Sequence, residues 1–558
     1  MAHGVKPVFE VVGEVGQVVG AAPPGEGFRF GRMFPHLERF RPTPESLASL
    51  GVCMTAGAGT DDDGTLPAGY TYFGQFIDHD ITRDSTGGPP AAAGTAEESE
   101  LVQLRSPSLD LDSLYDGQDA RAPRDPADPA KMLIGSTVGF AGAAPGDVAR
   151  GALPNDLPRI TTGETLGLAL IGDSRNDENL IVAQLHLAFL KFHNKTVDVL
   201  AAEGQLAGAA LFEAARALVT RHYQWLVLDD FVRHLTDPAV YASILTSPTL
   251  KTIGHQHVRL EPRVFKPTAF ETPPMPLEFS VAAYRLGHSM IRNGYPWNRF
   301  FPGASLAQLF QFTNLSGFIG PKGPPALPSN WIADWRHLFD FTTINVGPEV
   351  NPRGIRPAVV KKLDSHLAPT LGALGDGSNL AVRNLDRGRR TGIPSGQAVA
   401  NHLLSLGILA PTDILSPDLL VNGSGPDSAL DDATRAALQE HEFDLQTPLW
   451  FYILREAALA GGLHLGPVGS RIMIETFVGL IRCSMTSIFN ADHEHPGFLK
   501  VFSPQKDSPL RTPGGEPITT MAHLLAFVGD INPLGDLDQA PAAPVAAPAV
   551  VAEVPAGE

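Results

Sequence analysis

Cysteine is nearly absent from this chain of 558 residues, which contains only Cys53 and Cys483. Two cysteines exclude a disulfide framework and a cysteine-based zinc site, although one bridge between them stays possible. No apolar run of about 18 residues occurs, and the first residues lack the basic start and apolar stretch of an export signal. We therefore expect a soluble protein without a transmembrane segment.

Basic residues are also in short supply. The chain has 42 Lys and Arg against 60 Asp and Glu, so its formal net charge is −18. This balance argues against an electrostatic nucleic-acid-binding surface. It is compatible with the binding of hard cations, which prefer carboxylate oxygens.

Hydrophobic periodicity predicts a mainly α protein with few short strands. The clearest pattern is Ile181, Leu185, Ala188, Phe189 and Phe192, which follow the spacing of one helix face. Alternating strand patterns are scarce. The predicted helices are 178–202, 207–235, 276–292, 306–314, 396–406, 432–441 and 447–461.

The chain is long enough for several domains, but the candidate site residues lie hundreds of positions apart, which favours one large catalytic domain. Both ends differ from it in composition: the start is rich in Gly and Pro, and the end is low in complexity. We predict an irregular N-terminal arm at 1–45, a catalytic domain at 46–535 and an Ala/Pro tail at 536–558.

The segment GQFIDHD, residues 74–80, places a histidine between two aspartates, with a glutamine four residues earlier. In a helix, steps of about 100° point Asp78, His79 and Asp80 in three directions. Gln75 and His79 then share a face, one turn apart. An ordinary apolar core has no need of such a cluster, so we interpret it as part of a functional site.

Three more segments are ambiguous when each is taken alone. GDSRNDEN contains Arg175 and Glu178 three residues apart, but it is also typical of a capped helix start. YRLGH ends at His288 on an apolar helix face, where a histidine is usually a core residue. NLDRGRRTGIP begins at Asn384 and alone resembles a solvated basic loop.

Together, and in this order, these segments and RSPSLDLDSLYDG resemble the animal-type haem peroxidases of the peroxidase-cyclooxygenase superfamily, the group of myeloperoxidase and peroxidasin. The resemblance runs from about Gly51 to Asp530. It implies a mainly α fold with haem b buried among central helices. Few cysteines indicate a bacterial-style member. Family members are commonly exported, so the resemblance implies an extracellular location, and the sequence alone leaves a cytoplasmic one open.

The resemblance makes His79 the distal histidine, with Gln75 beside it, and Arg175 the distal arginine. His288 is then the iron ligand, and Asn384 is the partner of its second ring nitrogen. A neutral imidazole can take a proton from peroxide and return it. A guanidinium stays charged and stabilises developing negative charge. An amide beside the axial histidine fixes the orientation of the ring.

Further positions match residues that contact the edge of the haem in the family. Arg285 and Arg387 match positions near the propionates, where a cation is favourable. Asp78 and Glu178 match the carboxylates that form ester bonds to haem methyl groups, so the resemblance implies an ester-linked haem. Asn179 stands where myeloperoxidase has a methionine, so we expect no sulfonium link.

The segment 106–112 alternates polar and apolar residues. As extended chain it would place its oxygen-bearing residues on one side. Calcium takes about six to eight oxygens, and the resemblance implies a structural calcium ion at this loop. An edge strand with a polar outer face is the alternative. The expected ligands are Asp80, Ser106, Ser108, Asp110 and Asp112.

The resemblance implies an enzyme that reduces hydrogen peroxide through an oxyferryl intermediate and oxidises a small anion, halide or thiocyanate, or an aromatic phenolic donor. One alternative is a fatty-acid dioxygenase of the same superfamily. In those enzymes the radical-forming tyrosine lies three residues before the iron ligand; here that position is Arg285, and Tyr284 lies one residue earlier. A calcium-dependent adhesion or matrix protein and a haem-free two-metal hydrolase are also compatible with the sequence.

Overall fold

Helix is the commonest regular structure in the computed structural model. It is 44% helical and 11% strand, which confirms the prediction of a mainly α protein with few short strands. The described residues are 10–11, 18–19, 28–56, 62–84, 101–115, 122–139, 151–246, 257–269, 271–313, 318–346, 350–425, 428–491 and 497–536.

The helices vary from one turn to more than six. In chain order the α-helices are α1 Pro44–Ala56, α2 Gly69–Ile81, α3 Asp112–Tyr115, α4 Leu180–Ala202, α5 Gly208–Trp225, α6 Arg233–Leu235, α7 Pro238–Ile244, α8 Leu277–Ser280, α9 Leu306–Gln311, α10 Leu380–Thr391, α11 Gly396–Ser405, α12 Pro417–Asn422, α13 Asp432–Glu440, α14 Leu449–Leu459, α15 Pro467–Cys483 and α16 Met521–Val528. A π-helical turn at Leu226–Val232 joins α5 to α6. The 3₁₀ helices are Ser174–Asp177, Ala283–Met290, Ser329–Trp331, Trp335–His337, Pro369–Gly372 and Pro411–Asp413.

All seven predicted helical segments contain helix, but five helices of eight residues or more fall outside them. The prediction 276–292 divides into α8 and the 3₁₀ helix Ala283–Met290. The five helices outside the predicted segments are α1, α2, α10, α15 and α16. Helix α15 is buried almost all round, so it lacks the exposed polar face of a surface helix. Helix α10 was not predicted, because its arginines favour a basic loop when the segment is taken alone.

Strands are two to five residues long and form small sheets. They are β1 Glu10–Val11, β2 Val18–Val19, β3 Phe28–Gly31, β4 Asp63–Pro67, β5 Val102–Gln103, β6 Arg124–Asp125, β7 Asp128–Met132, β8 Leu245–Thr246, β9 His257–Leu260, β10 Met275–Pro276, β11 Gly294–Tyr295, β12 Ala304–Ser305, β13 Val359–Lys361, β14 Phe489–Ala491 and β15 Leu499–Val501. The two larger sheets have the strand orders β10-β3-β5 and β14-β15-β9-β8.

The predicted irregular arm is not irregular throughout. Strand β3 pairs in parallel with β10, with Met275 opposite Phe30, and antiparallel with β5. Just beyond β3, the backbone N–H groups of Met33 and Phe34 donate to the buried Glu278 carboxylate at 2.8 and 3.2 Å. Burial raises the pKa of Glu278. These contacts anchor the arm to α8. The predicted tail lies outside the described residues from position 537 onward.

Aromatic packing fixes the rotation of α2. Phe76 of α2 stacks on Phe189 of α4 with ring centroids 4.8 Å apart, and Phe73 and Tyr223 complete the cluster. Burying a large apolar side chain stabilises a fold by about 1.5 to 3 kcal/mol. Because these rings face the core, the polar residues of GQFIDHD face elsewhere on the helix.

A second contact joins α2 to the 3₁₀ helix Ala283–Met290. The Tyr284 hydroxyl donates to the Gly74 carbonyl oxygen at 3.0 Å. The same 3₁₀ helix also packs against α8, α14 and α15. The segments that carry His79 and His288 are thus held in one packed unit.

Both cysteines have free thiols, so the bridge that the sequence left open does not form. Among the described residues, no helix combines the length and the apolar character needed to cross a bilayer.

Gly69 begins α2 in a space that admits no side chain. A Cβ atom there would lie 2.5 Å from the Phe339 ring and 2.6 Å from the Leu338 carbonyl oxygen. We expect Gly69→Ala to lower the free energy of unfolding by about 1 to 3 kcal/mol through overpacking. Urea denaturation followed by circular dichroism measures this. Gly303→Ala is the matched control, since nothing lies within 4 Å of its Cβ position. Equal midpoints for the two variants would contradict the packing argument.

Candidate active site

One cavity of about 1090 Å³ lies among α2, α10, the turn after Asp173 and the 3₁₀ helix Ala283–Met290. This volume is slightly above the usual range of about 300 to 1,000 Å³ for small-molecule and cofactor pockets. The cavity brings together nine residues that the sequence singled out from four separate segments. They are Gln75, Asp78, His79, Arg175, Glu178, Arg285, His288, Asn384 and Arg387.

Helix α2 divides the GQFIDHD residues between two environments. Gln75 and His79 line the cavity together, as expected from their spacing, and Asp78 lines it as well. Asp80 points away from the cavity and is fully buried. Adjacent residues of one helix therefore face a cavity on one side and a cluster of acids on the other.

The imidazole of His79 is buried and held by an amide. Its Nδ1 lies 2.8 Å from Asn176 Oδ1, and Asn176 Nδ2 lies 3.0 Å from His186 Nδ1. Because the amide oxygen can only accept, Nδ1 carries the ring proton and Nε2 keeps its lone pair. Burial, and then the Arg175 charge, lower the pKa of His79 to about 4. The ring is therefore neutral near pH 7 and can accept a proton at Nε2.

Arg175 is held almost completely by neighbouring oxygens. Its Nε and Nη2 donate to the two oxygens of Asp173 at 3.0 and 2.7 Å. Nη2 also donates to the carbonyl oxygens of His79 and Thr82 at 3.0 and 2.7 Å. Nη1 makes no hydrogen bond to a residue that the structure describes. The guanidinium is thus fixed to the end of α2 with one donor group left for a ligand.

Asp173 is the shared partner of three arginines. Arg105 Nε lies 2.8 Å from its Oδ2, and Arg83 Nη1 lies 3.6 Å from its Oδ1. Burial alone would raise the pKa of Asp173, but the arginines hold that pKa well below its usual range. The carboxylate also accepts from the Arg175 backbone N–H, which caps the turn that carries Arg175.

His288 lies on the 3₁₀ helix Ala283–Met290 with its Nδ1 2.7 Å from Asn384 Nδ2. In this orientation the Asn384 amide donates to Nδ1, so the proton of the neutral ring is on Nε2. If the amide is rotated by 180°, its oxygen faces Nδ1 and accepts the ring proton from that nitrogen. Nε2 then has a free lone pair. Burial, and next the Arg285 charge, lower the pKa of His288 to about 3. The ring is therefore neutral, as a metal ligand must be.

Two carboxylates in the cavity wall differ in their surroundings. Asp78 accepts from the Thr82 hydroxyl at 2.7 Å and lies 3.8 Å from Arg285 Nη1. Burial opposes its ionisation, but Arg285 and other nearby positive groups lower its pKa. Burial raises the pKa of Glu178. Asp78 is thus the more readily ionised of the two.

Two residues at the haem-edge positions have partners inside the protein. Arg387 forms an ion pair with Asp84. Asn179, at the methionine position of myeloperoxidase, accepts from the Val182 backbone N–H at 3.0 Å and so caps α4. Its amide donates to Gln75 Oε1 at 3.0 Å. Asn179 therefore starts a helix and orients the glutamine of the cavity.

Outside the cavity, Asp80, Asp110 and Asp112 bring three buried carboxylates together, with ligand oxygens within 4.8 Å of one another. Burial, and then the Asp110 charge, raise the pKa of Asp80 to about 7. Ser106 joins the cluster, because its hydroxyl donates to Asp110 and its backbone N–H to Asp112, both at 3.0 Å. Ser108 is also buried. Carboxylate oxygens gathered this closely are the kind of ligand that hard cations prefer.

The expectation of an extended chain in this segment is wrong. Leu109 and Leu111 adopt the left-handed region, with φ of 48° and 59°, and both side chains are fully buried. Left-handed backbone is costly for leucine and survives only where the surroundings impose it. Here the two turns insert the leucines into the core and direct Asp110 and Asp112 to Asp80.

Sequence reasoning missed several partners of the site residues. Asp173 and Asn176 lie inside GDSRNDEN, where their closeness to Arg175 was a usable signal. Asp84 and His186 come from other segments, and nothing local marks them as partners of Arg387 and Asn176. Their pairing is a result of the tertiary fold.

Comparisons with known proteins bear on the family and the fold. Residues 144–403 match the family model described as animal haem peroxidase. This stretch contains Arg175, Glu178, His288, Asn384 and Arg387 and begins after His79. The resemblance to the animal haem peroxidases is therefore confirmed. No curated protein matches the chain in sequence.

Solved structures with the same fold include a peroxidase and plant dioxygenases. Peroxidase A from Dictyostelium discoideum is 16% identical, with 85% of this chain and 90% of that chain covered and a TM-score of 0.52. A variant of fatty acid alpha-dioxygenase from Oryza sativa with palmitic acid is 13% identical, with 87% and 82% covered and a TM-score of 0.55. Fatty acid alpha-dioxygenase from Arabidopsis thaliana is 14% identical, with 84% and 72% covered and a TM-score of 0.51. Identities this low show the fold alone, which this chain shares with these peroxidase and dioxygenase structures.

Removing the charge of Asp173 leaves three guanidinium groups without their shared partner. We expect Asp173→Asn to lower the free energy of unfolding by about 3 to 5 kcal/mol, because breaking a buried ion pair leaves uncompensated charge. Thermal or urea denaturation measures the loss. The control is Asp198→Asn, whose side chain is 61% exposed and pairs with Lys131 at the surface; it should change stability by less than about 0.5 kcal/mol. Similar losses in both variants would contradict the role of Asp173.

Proposed function

We propose that this protein is a haem peroxidase that reduces hydrogen peroxide. The observation that carries the proposal is the placement of His79, Arg175 and His288 around one cavity, with both imidazoles neutral and each Nδ1 engaged by an asparagine. Such a set provides a proton acceptor, a fixed cation and a metal ligand in one place. The family match and the fold support the same reaction class.

The residues present fit a haem. Neutral His288 offers an imidazole nitrogen to iron once the Asn384 amide turns its oxygen to Nδ1. Arginines line the wall, where propionates need cations, and the cavity volume is suitable for a large cofactor. When bound, the haem supplies the iron that accepts oxygen from peroxide and passes on oxidising equivalents.

The protein groups handle the proton and the charge. His79 Nε2 is placed to accept a proton from one peroxide oxygen and to return it to the other, leaving oxygen, so one residue would act first as base and then as acid. Asn176 keeps the ring in the tautomer that this requires. Arg175 Nη1 stabilises the negative charge that develops on the leaving oxygen. Gln75, oriented by Asn179, provides an amide beside the same space.

Two further features of the family belong to this proposal. We assign Asp78 and Glu178 as the carboxylates that form esters with haem methyl groups, since both line the cavity. We assign Asp80, Asp110 and Asp112, with Ser106 and Ser108, as a calcium site next to the distal histidine. The electron donor is a halide, thiocyanate or a phenol.

A fatty-acid dioxygenase is the second candidate, and Tyr284 is the observation that favours it. Its side chain lines the cavity, and matched structures include fatty acid alpha-dioxygenases. Its hydroxyl, however, is committed to the Gly74 carbonyl oxygen, and Arg285 holds the position three residues before His288. Oxygen uptake with palmitic acid that is lost in Tyr284→Phe would establish the dioxygenase; peroxide-dependent oxidation of guaiacol without such uptake would exclude it.

His79→Leu should slow the reaction with peroxide by about 10² to 10⁴, the usual contribution of a general base. Stopped-flow absorption of the haem-loaded protein measures the rate. The control is His234→Gln, whose side chain is 53% exposed and outside the cavity lining. A His79→Leu rate equal to that of the wild type would refute the assignment.

The same rate should depend on pH in a direction set by His79. Its pKa lies below the ordinary value, at about 4, so the base is neutral and active above that pH. Below it, protonation removes the base, and the rate should fall about tenfold per pH unit. This fall should be missing in His79→Leu. An inflection near 6.5 would instead indicate an unperturbed histidine.

Calcium should bind at the acid cluster and stabilise the fold. Protein freed of metal by a chelator should regain a higher melting temperature when calcium is added, since a ligand of the native state stabilises it. Asp112→Asn removes one charged ligand and should weaken binding at least about tenfold in calorimetry. Asp198→Asn serves as the surface control. Wild-type protein that neither binds calcium nor shifts its melting temperature would contradict the site.

A further inference from the structure

Arginine is the dominant charged residue of the cavity wall, and one of the six that line it differs from the rest. In each of the other five, a guanidinium nitrogen lies within 4 Å of a carboxylate oxygen. The pairs are Arg175–Asp173, Arg285–Asp78, Arg383–Asp376, Arg387–Asp84 and Arg389–Asp386. The sixth, Arg390, forms no hydrogen bond or ion pair with any residue in the described part of the chain.

Arg390 lies where an unpaired cation is costly. Its Nε is buried and has no hydrogen-bond acceptor among the described residues. On α10 it follows Arg383 and Arg387 by seven and three residues, so the three side chains project from one face of the helix. Proximity to Arg390 adds to the effect of burial in lowering the pKa of Arg387. The positive charges on this helix face repel each other, and a bound anion at Arg390 would reduce that repulsion.

We propose that Arg390 is the binding site for a carboxylate group of a cavity ligand. A guanidinium with free donors takes a carboxylate in two parallel hydrogen bonds, which matches planar acids better than any other common anion except phosphate. The inference rests on the proposed function for the identity of the ligand. The carboxylate comes either from a haem propionate or from an anionic donor substrate in the same cavity.

This assignment differs from the one that the family resemblance supplies. That resemblance places Arg387 at a propionate and gives Arg390 no role. Here the charge of Arg387 is already matched by Asp84, whereas that of Arg390 is not. Arg390 lies six residues beyond Asn384, or about 9 Å along the helix axis from the partner of His288. A carboxylate at Arg390 would thus sit at the periphery of a group centred on His288.

The first test compares Arg390→Gln with Arg390→Lys and with Arg389→Gln, a neighbour in the cavity wall that already pairs with Asp386. Each protein is titrated with haemin and with haemin dimethyl ester, in which the propionate charges are removed. If a propionate binds Arg390, Arg390→Gln should weaken haemin binding at least tenfold but leave binding of the diester unchanged. Arg390→Lys should recover part of the affinity, and Arg389→Gln should resemble the wild type.

The second test concerns the donor substrate. Haem-loaded proteins are assayed with 4-hydroxyphenylacetate and with the neutral phenol guaiacol. If the carboxylate of a substrate binds Arg390, haemin affinity should be unchanged in Arg390→Gln. The KM for 4-hydroxyphenylacetate should then rise at least fivefold, with the KM for guaiacol and kcat unaffected.

Three results would contradict either the role of Arg390 or the proposed function on which it rests. No change in either test, or an equal loss of haemin and diester binding, would show that Arg390 has no carboxylate partner. Wild-type protein that binds no haemin would refute the proposed function instead. The anion site would then be judged by calorimetry with benzoate: binding to wild type that is lost in Arg390→Gln supports it, and absence of binding to wild type rejects it.

Discussion

The buried carboxylate of Asp173 holds together the parts of the site that come from different segments. Arg83 follows α2, Arg105 precedes the acid cluster, and Arg175 lies on the turn before α4, yet all three share this one partner. Isolated guanidinium groups would be expensive to bury, and the shared carboxylate offsets that cost. Because Arg105 also lies 3.5 Å from Asp112, a continuous set of ion pairs connects the cavity wall with the acid cluster.

Helix α2 shows how packing positions chemistry. Phe73 and Phe76 bury their rings against α4 and α5, and this contact sets the rotation of the helix. Once the rotation is set, His79 faces the cavity and Asp80 faces the acid cluster without further adjustment. Apolar burial provides the rigidity, and the polar side chains use the positions that remain.

Local patterns predicted the features that depend on helix geometry and missed those that depend on tertiary contact. The shared face of Gln75 and His79 follows from the 100° step of a helix, and the long helix α4 from its apolar spacing. The turns at Leu109 and Leu111 could not be predicted from the sequence, because leucine has no local preference for left-handed backbone and only the surrounding core imposes it. The pairing of Arg387 with Asp84 likewise depends on two segments meeting.

Charge in the cavity wall connects the proposed esters to the arginines. Asp78 is the carboxylate beside Arg285, and burial penalises the ionised form of Glu178. An ester removes the negative charge from each of these groups. For Glu178 that removes a desolvation cost. For Asp78 it leaves the Arg285 guanidinium without its partner and therefore available to an external carboxylate. Ester formation would thus change which cations of the wall can hold an anion, and covalent attachment and electrostatic binding of the same ligand would reinforce each other.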